Sequence, residues 1–357
     1  MFSHMQQHSV QELHFCQQGP LNAVVALHNL RLGPALGGCR FIEYSNSDLA
    51  ITDALRLARG MSYKAALAHV PQGGGKAVIM KPKGEFDRVE MFKLFGQFVE
   101  SLSGRYITAM DSGTQVKDMD IIRSQTTYVS SSSNIGDPSP TTAQGVFLGI
   151  QDAVQFCLGK PLKNLTVAIQ GLGHVGFALA QHLHNAGAKL IVCDVDAKKV
   201  QQAQQLFAAK AVAVDEIYQQ NCDVFSPCGL GGILNEDTLK KLDCKIIAGC
   251  ANNQLSEEHI AQNIHESGRL YVPDYVINSG GLIFASSRYR GLNHQQIQHE
   301  VHKLKDTLNK IFVLSKQKNQ SCHDIANEMA EHILYGPHFD PKNDDSETHD
   351  WNVKEAV

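Results

Sequence analysis

Apolar positions in the first ~135 residues recur with two different periods, which predicts a mixture of helices and strands. A potential helix cap at Asn46 precedes LAITDALRLARG, whose apolar residues recur at helical spacing. KAVIM (Lys76–Met80) is a short apolar run typical of a buried strand. RVEMFKLFGQFVESL is amphipathic and is expected to stop near Gly104, and RYITA is a strand ending near Met110.

The period changes after SSSSNIGDPSPT (Ser130–Thr141), whose serine, glycine and proline content is typical of a loop and a domain boundary. Four continuous apolar runs follow, LTVAI, KLIVCDV, CDVFSPC and CKIIAGC, and helix-like stretches separate them. This alternation predicts a parallel, doubly wound sheet. From about His294 to Leu334 the pattern is helical, and the polar, acidic tail after it is expected to be loosely ordered.

The fold class is therefore α/β with two domains. We expect residues 1–135 to form the first domain, to which residues 321–357 return. Residues 136–320 are expected to form a Rossmann-type domain that binds a dinucleotide.

Composition narrows the possible partners. The 357 residues carry a formal net charge of −4, which gives no electrostatic case for nucleic acid or an anionic membrane. No apolar run approaches the roughly 18 residues of a membrane span, and MFSHMQQHSV has no basic head before an apolar segment. Nine cysteines without a CxxC pair indicate free thiols in a reducing cytoplasm. Seventeen histidines without HExxH predict no structural metal.

GLGHVG, which follows the strand LTVAI and opens the helix-like FALAQHLHNAG, fits the dinucleotide fingerprint GxGxxG. The glycines permit a tight turn and close backbone approach, and the helix N-terminus receives the pyrophosphate. Asp194 ends the next strand, where a carboxylate accepts from a ribose 2′-hydroxyl and repels a 2′-phosphate, so NAD is favoured over NADP. The expected cofactor contacts are Gly171, Gly173, His174, Val175, Gly176, Asp194, Cys228, Gly229, Asn252 and Asn253. A purely structural role for the two asparagines stays open.

VPQGGGKAVIM (Val70–Met80) looks at first like a phosphate loop. It fails the pattern GxxxxGK[ST], because Val70 stands where the first glycine belongs and Ala77 where the hydroxyl belongs. A solvated surface charge is the default interpretation of a lone lysine. Lys76 is instead flanked by GGG and AVIM, where burial and a second cation favour the neutral amine, which can act as a base.

Motifs along residues 10 to 335 resemble the glutamate/leucine/phenylalanine/valine dehydrogenase superfamily, and look closest to its leucine dehydrogenase branch. They are GPALGGCRF, RGMSYKAA, GGGKAVI, RYITAMDSGT, PSPTTAQGV, GLGHVG, CANNQL and PDYVINSGG. The resemblance implies reversible, NAD-dependent oxidative deamination of an L-amino acid to a 2-oxo acid and ammonia, by a homo-oligomer. It implies that residues 1–135 form the substrate-binding, catalytic and oligomerisation domain. Within it, Lys76 and Asp111 would be catalytic and Lys64 would bind the α-carboxylate. Ser139 and Thr142 would approach the cofactor, and Asn278 would lie near substrate and nicotinamide.

The resemblance also places an apolar side-chain pocket. Glutamate-specific members carry a lysine where Leu36 stands and a serine where Ala285 stands, so we expect glutamate to be rejected. The implied substrate contacts are Leu36, Gly37, Gly38, Met61, Ala109, Leu282 and Ala285. Because one methylene is worth only about 1–3 kcal/mol in such a pocket, leucine, valine and isoleucine are all expected substrates. Ala285 and Leu282 depart from the valines usual in leucine dehydrogenases, which leaves phenylalanine or another aromatic amino acid as the alternative.

Two other classes of protein compete with this interpretation. A non-catalytic NAD-binding sensor would keep the fold, but Lys64, Lys76 and Asp111 are all retained. A hydroxy-acid dehydrogenase typically needs a histidine–carboxylate pair, and no histidine flanks the motifs that would supply it. The amino-acid dehydrogenase interpretation fits the residues best.

Overall fold

Two β-sheets organise the chain, of which this computed structural model describes residues 2–336. The first sheet contains β1 (Glu12–Gln18), β2 (Leu21–Asn29), β3 (Ala35–Ile42), β4 (Gly73–Met80) and β5 (Tyr106–Met110). Its order is β1-β2-β4-β3-β5, with β3 parallel to β4 and β5, and β2 antiparallel to its neighbours. Strand β3 therefore separates the strand that carries Lys76 from the strand that leads into Asp111.

The helices of this half are α1 (Phe2–Gln7), α2 (Ser47–Leu67), α3 (Arg88–Ser101) and α4 (Val116–Arg123). The predicted cap of α2 is confirmed, since the Asn46 side chain accepts from the backbone N–H of Leu49 at 3.0 Å. The helix continues seven residues beyond its predicted end at Gly60, because its last turn packs Ala65 and Leu67 into the interior. This extension places Lys64 on α2.

The second sheet is parallel throughout, as the alternating pattern predicted. It contains β6 (Thr166–Gln170), β7 (Lys189–Cys193), β8 (Lys210–Ala211), β9 (Val224–Pro227), β10 (Ile246–Ile247) and β11 (Leu270–Tyr271). The order β11-β10-β9-β6-β7-β8 extends from β6 in both directions. This is the doubly wound arrangement, in which ligands bind beyond the carboxyl ends of the strands where the order reverses, here at β6 and β9.

Ten helices of the described chain surround this sheet or connect it to the first. They are α5 (Ser139–Leu158), α6 (His174–Asn185), α7 (Ala197–Phe207), α8 (Glu236–Lys241), α9 (Ile260–Glu266), α10 (Asp274–Ile277), α11 (Gly280–Tyr289), α12 (His294–His302), α13 (Leu304–Lys318) and α14 (Cys322–Tyr335). The predicted loop Ser130–Thr141 is too long at its end, because α5 already begins at Ser139. Proline in the first turn does not oppose this start, since its fixed φ suits a helix and its missing N–H would be unpaired there.

Helix α14 packs against both α13 and α2, and so returns to the first sheet's half of the molecule. The Tyr63 hydroxyl of α2 donates to Glu331 at 2.7 Å, and Leu334 belongs to the same apolar cluster as Leu67. The proposed domain limits stay a prediction. Residues 337–357, to which the expectations of a returning segment and a loosely ordered tail also apply, lie outside the described residues. Within residues 2–336, no helix has the length and apolar character needed to cross a membrane.

Candidate active site

A cleft of about 390 Å³ lies between the two halves of the molecule. The first half contributes side chains from α2, β3, β4 and the end of β5, and the second contributes α10, α11 and the loop after β10. Of the expected site residues, the cleft is lined by Leu36, Gly37, Gly38, Met61, Lys64, Lys76, Ala109, Asp111, Asn252, Asn253, Leu282 and Ala285.

Lys76 and Asp111 form an ion pair at the bottom of this cleft. Lys76 is only 6% exposed, which confirms the predicted burial. Asp111 reaches across β3 because Gly38 has no side chain: a Cβ there would lie 2.7 Å from the Asp111 Cβ. A Cβ on Gly37 would lie 1.7 Å from the Gly75 carbonyl oxygen. The two glycines of β3 are therefore what brings the carboxylate to the lysine.

Two cations control the charge of Asp111. Burial by itself would raise the pKa of this carboxyl group, but the adjacent Lys76 and, more weakly, Arg40 hold it below its usual value. The Arg40 Nε lies 3.6 Å from Asp111 Oδ2, while its Nη1 donates to Asp53 at 2.7 Å. Asp111 is therefore ionised at neutral pH and able to accept a proton.

Replacing Arg40 by methionine is expected to raise the pKa of Asp111 and to move the acid-side limb of the kcat/KM profile to higher pH. The arginine charge favours the carboxylate, so its removal makes protonation easier. The control is Arg56→Met, because Arg56 also lines the cleft and bonds to Asp53, at 3.1 Å. Equal shifts in the two variants would show that Arg40 does not act through Asp111.

Lys64 is the second lysine of the cleft and the link between the two halves. Its Nζ donates to the Asn278 Oδ1 at 2.6 Å, and the Asn278 side-chain amide donates to the Cys250 carbonyl at 3.1 Å and to Asn252 at 2.8 Å. Burial lowers the pKa of Lys64 to about 8; Asp274 opposes this shift and Lys76 adds to it. An ammonium group with only an amide as its direct partner is suited to receiving a carboxylate.

One wall of the cleft is apolar. Leu36 and Leu282 are 1% and 8% exposed and belong to one apolar cluster, against which Met61 packs. Ala109 and Ala285 complete the surface without adding bulk. No lysine or serine stands at positions 36 and 285, so this wall offers a side-chain carboxylate no partner at either place.

Several cleft residues were not anticipated from the sequence. They are Arg40, Arg56, Leu57, Val116, Met119, Ser131, Ser132, Asp274 and Tyr275. Arg40 was detectable in principle, because it lies two residues after Gly38 on a strand and shares its face. Asp274 and Tyr275 belong to the PDYVINSGG motif itself, and Asp274 accepts from the Gln254 N–H at 2.8 Å.

The three glycines before Lys76 lie inside the first sheet. A Cβ on Gly73 would be 1.9 Å from the Asn29 carbonyl oxygen, and one on Gly74 would be 2.0 Å from the backbone nitrogen of Ser62. These glycines let β4 pack closely against β2 and α2.

The GLGHVG turn joins β6 to α6, as its sequence predicts. Gly171 has φ +100°, a conformation that favours glycine, and a Cβ on Gly176 would lie 2.2 Å from the Gly171 carbonyl oxygen. Gly173 caps α6, and a Cβ there would meet nothing within 4 Å. The helix therefore opens with the N–H groups of His174, Val175 and Gly176 beside an open space, which fits a dinucleotide pyrophosphate.

Asp194 follows β7 beside this turn. Its Oδ2 accepts from the Leu172 N–H at 2.5 Å and its Oδ1 accepts from the Asp196 N–H at 2.8 Å. The carboxylate is half-buried and keeps further acceptor positions, so the residues present fit an adenosine ribose of a bound dinucleotide.

Two more of the expected cofactor residues lie beside the glycine turn. Cys228 and Gly229 follow β9, where Gly229 Cα is 2.8 Å from the position of a Cβ on Gly171. Ser139 begins α5, and the Thr142 hydroxyl donates to the Pro138 carbonyl at 3.0 Å and lies 3.0 Å from the position of a Cβ on Gly281. Neither these residues nor Asp194 and the GLGHVG glycines line the 390 Å³ cleft itself. Among residues 2–336, no group of three or more histidines, cysteines or carboxylates is placed to hold a metal ion.

Known proteins are similar to this chain over most of its length. Residues 6–128 match the family model "Glu/Leu/Phe/Val dehydrogenase, dimerisation domain", and residues 192–335 match "Glutamate/Leucine/Phenylalanine/Valine dehydrogenase". A leucine dehydrogenase of Bacillus subtilis is 44% identical over 338 residues, which cover 93% of each chain. An L-tryptophan dehydrogenase of Nostoc punctiforme is 43% identical over 337 residues, 93% of this chain and 95% of the other. The crystal structure of L-tryptophan dehydrogenase from Nostoc punctiforme matches with a TM-score of 0.85 at 41% identity, and covers 93% of this chain and 97% of that one.

A doubly wound dinucleotide fold, joined to a half that presents a lysine–aspartate pair, defines a nicotinamide-dependent oxidoreductase. The chain belongs to the glutamate/leucine/phenylalanine/valine dehydrogenase family and is an amino-acid dehydrogenase.

Proposed function

We propose that the protein catalyses reversible, NAD-dependent oxidative deamination of an apolar L-amino acid, with leucine, valine and isoleucine as its main substrates. The observation that carries this proposal is the cleft itself. It combines the Lys76–Asp111 pair, a second, half-buried lysine at Lys64 and an apolar wall beside the dinucleotide crevice.

Substrate binding rests on Lys64 and the apolar wall. The ammonium of Lys64 pairs with the α-carboxylate, and Asn278 holds that ammonium in place from the second half of the molecule. The substrate side chain lies against Leu36 and Leu282. Its α-carbon is then directed towards Lys76 and Asp111, and closure of the two halves excludes bulk water before reaction.

The chemistry is divided between the cofactor and the Lys76–Asp111 pair. NAD, when bound, supplies the hydride acceptor for the hydrogen of the α-carbon. Once its proton has passed to Asp111 within the ion pair, Lys76 takes a proton from the water that attacks the resulting imine carbon. Asp111 gives a proton to the amino nitrogen of the substrate. That nitrogen then departs as ammonia and leaves the 2-oxo acid. Burial makes both proton transfers direct rather than competing with solvent.

The choice of NAD over NADP rests on Asp194. We expect Asp194→Ala to lower the ratio of kcat/KM for NAD to that for NADP by about tenfold or more, since loss of about 1.4 kcal/mol of discrimination gives that factor. NAD affinity also falls, because Asp194 accepts from the Leu172 N–H of the glycine turn. Asp196→Ala is the matched control: Asp196 caps α7 two residues on, through the Lys198 N–H. An unchanged ratio of kcat/KM for NAD to that for NADP in Asp194→Ala would contradict the role of Asp194 in selecting NAD.

An aromatic amino acid is the second candidate substrate. The small Ala285 favours it, as does the similarity to a protein named L-tryptophan dehydrogenase. Valine at position 285 adds two carbons to the wall. We therefore expect Ala285→Val to lower kcat/KM for phenylalanine about tenfold more than for leucine, which corresponds to about 1.4 kcal/mol. Steady-state kinetics with both substrates would show it. An equal loss of kcat/KM for both substrates would show that the substrate side chain does not contact position 285.

Product analysis tests the reaction itself. The purified protein with NAD and leucine is expected to form NADH, ammonia and 4-methyl-2-oxopentanoate in equal amounts. The protein should also consume NADH when ammonia and 4-methyl-2-oxopentanoate are supplied together. NADH formation without ammonia would exclude deamination.

We further propose a cytoplasmic homo-oligomer. The described cysteines are all free thiols, which suits a reducing compartment. Strand β1 forms an edge of the first sheet and leaves Phe15 47% exposed, and this region matches a family model described as a dimerisation domain. Light scattering on the purified protein measures the number of subunits.

A further inference from the structure

Four cysteines flank two neighbouring strands of the second sheet. Cys222 and Cys228 lie six residues apart around β9, and Cys244 and Cys250 lie six residues apart around β10. The strands are parallel with Val224 opposite Ile246, and backbone hydrogen bonds beyond both ends, from Cys222 to Asp243 and from Ala251 to Pro227, keep the flanking cysteines side by side. In the second pair the Cys250 thiol donates to the Cys228 carbonyl oxygen at 4.0 Å.

The two pairs differ in access. Cys222 and Cys244 are buried in the apolar cluster at the amino ends of the strands. Cys228 and Cys250 are only half-buried, and they lie at the carboxyl ends, where the dinucleotide crevice opens. A reagent that enters the crevice therefore reaches the second pair and not the first.

The Cys228–Cys250 pair is joined to both functional regions. A Cβ on Gly176 of the fingerprint would lie 3.1 Å from the Cys228 Cβ. The Cys250 carbonyl accepts from the Asn278 amide that holds Lys64, and Cys250 directly precedes the segment carrying Asn252. A displacement of either cysteine would therefore disturb the dinucleotide turn or the position of Lys64.

The thiols of this pair are also unequal in acidity. The adjacent Cys250 side chain lowers the pKa of Cys228 against the effect of burial, and the Ser226 hydroxyl, 3.5 Å from the Cys228 sulfur, acts in the same direction. The proximity of Cys228 and burial raise the pKa of Cys250. Cys228 is thus the better thiolate and Cys250 is placed to follow it. Such inequality with access to solvent is the usual setting of a redox-reactive pair.

We propose that Cys228 and Cys250 form an oxidative modification site, at which hydrogen peroxide produces a reversible disulfide that closes the dinucleotide crevice. The Cys228 thiolate attacks one peroxide oxygen, the O–O bond breaks, and Cys228 becomes a sulfenic acid while the leaving hydroxide takes a proton to form water. The Cys250 sulfur then attacks the sulfenic sulfur, which forms the S–S bond and releases a second water. Peroxide gains the two electrons that the thiols lose.

The geometry permits this bond at the expense of the open crevice. The Cys250 sulfur already lies 4.0 Å from the Cys228 carbonyl oxygen, next to the residue with which it would bond. A covalent S–S length of about 2.0 Å draws the segments after β9 and β10 together. The Cys250 carbonyl and Asn252 move with the second segment, so Asn278 loses its partners and Lys64 its support. We expect activity to fall at least tenfold and to return with dithiothreitol.

The test treats the reduced full-length protein with hydrogen peroxide, with and without saturating NAD. Free thiols are then blocked with N-ethylmaleimide and disulfide-linked peptides are mapped by mass spectrometry. We expect a linked Cys228–Cys250 peptide pair, slower formation when NAD is present, and a parallel, reversible loss of activity. The peptide map does not depend on which amino acid the enzyme oxidises.

Two variants sharpen the result, each compared with its own untreated sample. Cys250→Ser should form no such disulfide and should not show the dithiothreitol-reversible loss, whereas Cys244→Ser should respond as the natural chain does. A linked Cys222–Cys244 pair in place of Cys228–Cys250 would overturn the proposal. Equal reversible inactivation of Cys250→Ser, or a sulfinic acid at Cys228 without a disulfide, would also overturn it.

Discussion

The Lys76→Met variant is expected to lose about 10³-fold in kcat, within the range that positioned acid–base groups contribute. Methionine keeps the length and apolar stem of the side chain, so the buried site stays filled. The amine that takes a proton from water is gone, and the charge paired with Asp111 goes with it. Single-turnover measurements of NADH formation with leucine would show the loss directly.

The matched control for this variant is Lys81→Met, which removes an exposed lysine next to the end of the same strand, where it pairs with Glu43 at 3.3 Å. That variant should keep near-normal turnover. NAD binding, measured by fluorescence titration, should be similar in both, because the glycine turn lies in the other half of the molecule. Near-normal turnover of Lys76→Met in a folded, NAD-binding protein would refute the proposed mechanism.

The Lys64→Met variant is expected to lose about 10²-fold or more in kcat/KM, since removing one partner of a buried charge pair costs about 2–5 kcal/mol. The loss arises because the substrate carboxylate enters a buried site without its cation. It should appear mainly in KM, with a smaller change in kcat. Initial rates over a wide range of leucine concentrations separate the two parameters.

The same lysine predicts a pH dependence of carboxylate binding. Burial lowers the pKa of Lys64 to about 8, so the free enzyme loses this charge as the pH rises through that value. An unreactive ligand such as 4-methylpentanoate, which stays ionised throughout, should therefore bind more weakly above about pH 8. Lys64→Arg keeps its charge over this range and should bind with an affinity that does not vary with pH. If the affinity of the arginine variant also falls above about pH 8, the effect belongs to a group other than Lys64.

The sequence was sufficient where a local pattern determines the structure. Alternating apolar runs predicted the parallel sheet, and GLGHVG predicted the turn between β6 and α6, because both depend on residues close together in the chain. The burial of Lys76 was also predicted, from its apolar neighbours on a central strand.

Contacts between segments that are distant in the chain could not be predicted from the sequence. The support that Gly38 gives to Asp111 depends on the order of three strands, and the Lys64–Asn278 bond joins residues 214 positions apart. The close packing that the glycines before Lys76 permit is another contact of this kind. A glycine required by a neighbouring backbone and one required by a ligand have the same sequence signature, and only the positions of Asn29 and Ser62 distinguish them.

The most direct test of the account is kcat/KM for the twenty standard amino acids with NAD and with NADP. We predict that leucine, valine and isoleucine head the series with NAD, that an aromatic amino acid is the next substrate class, and that NADP is much poorer. Glutamate should be rejected, because the cleft wall has no cation at Leu36 and no hydroxyl at Ala285. Reduction of NAD with glutamate, but not with leucine or phenylalanine, would contradict the assignment of this site.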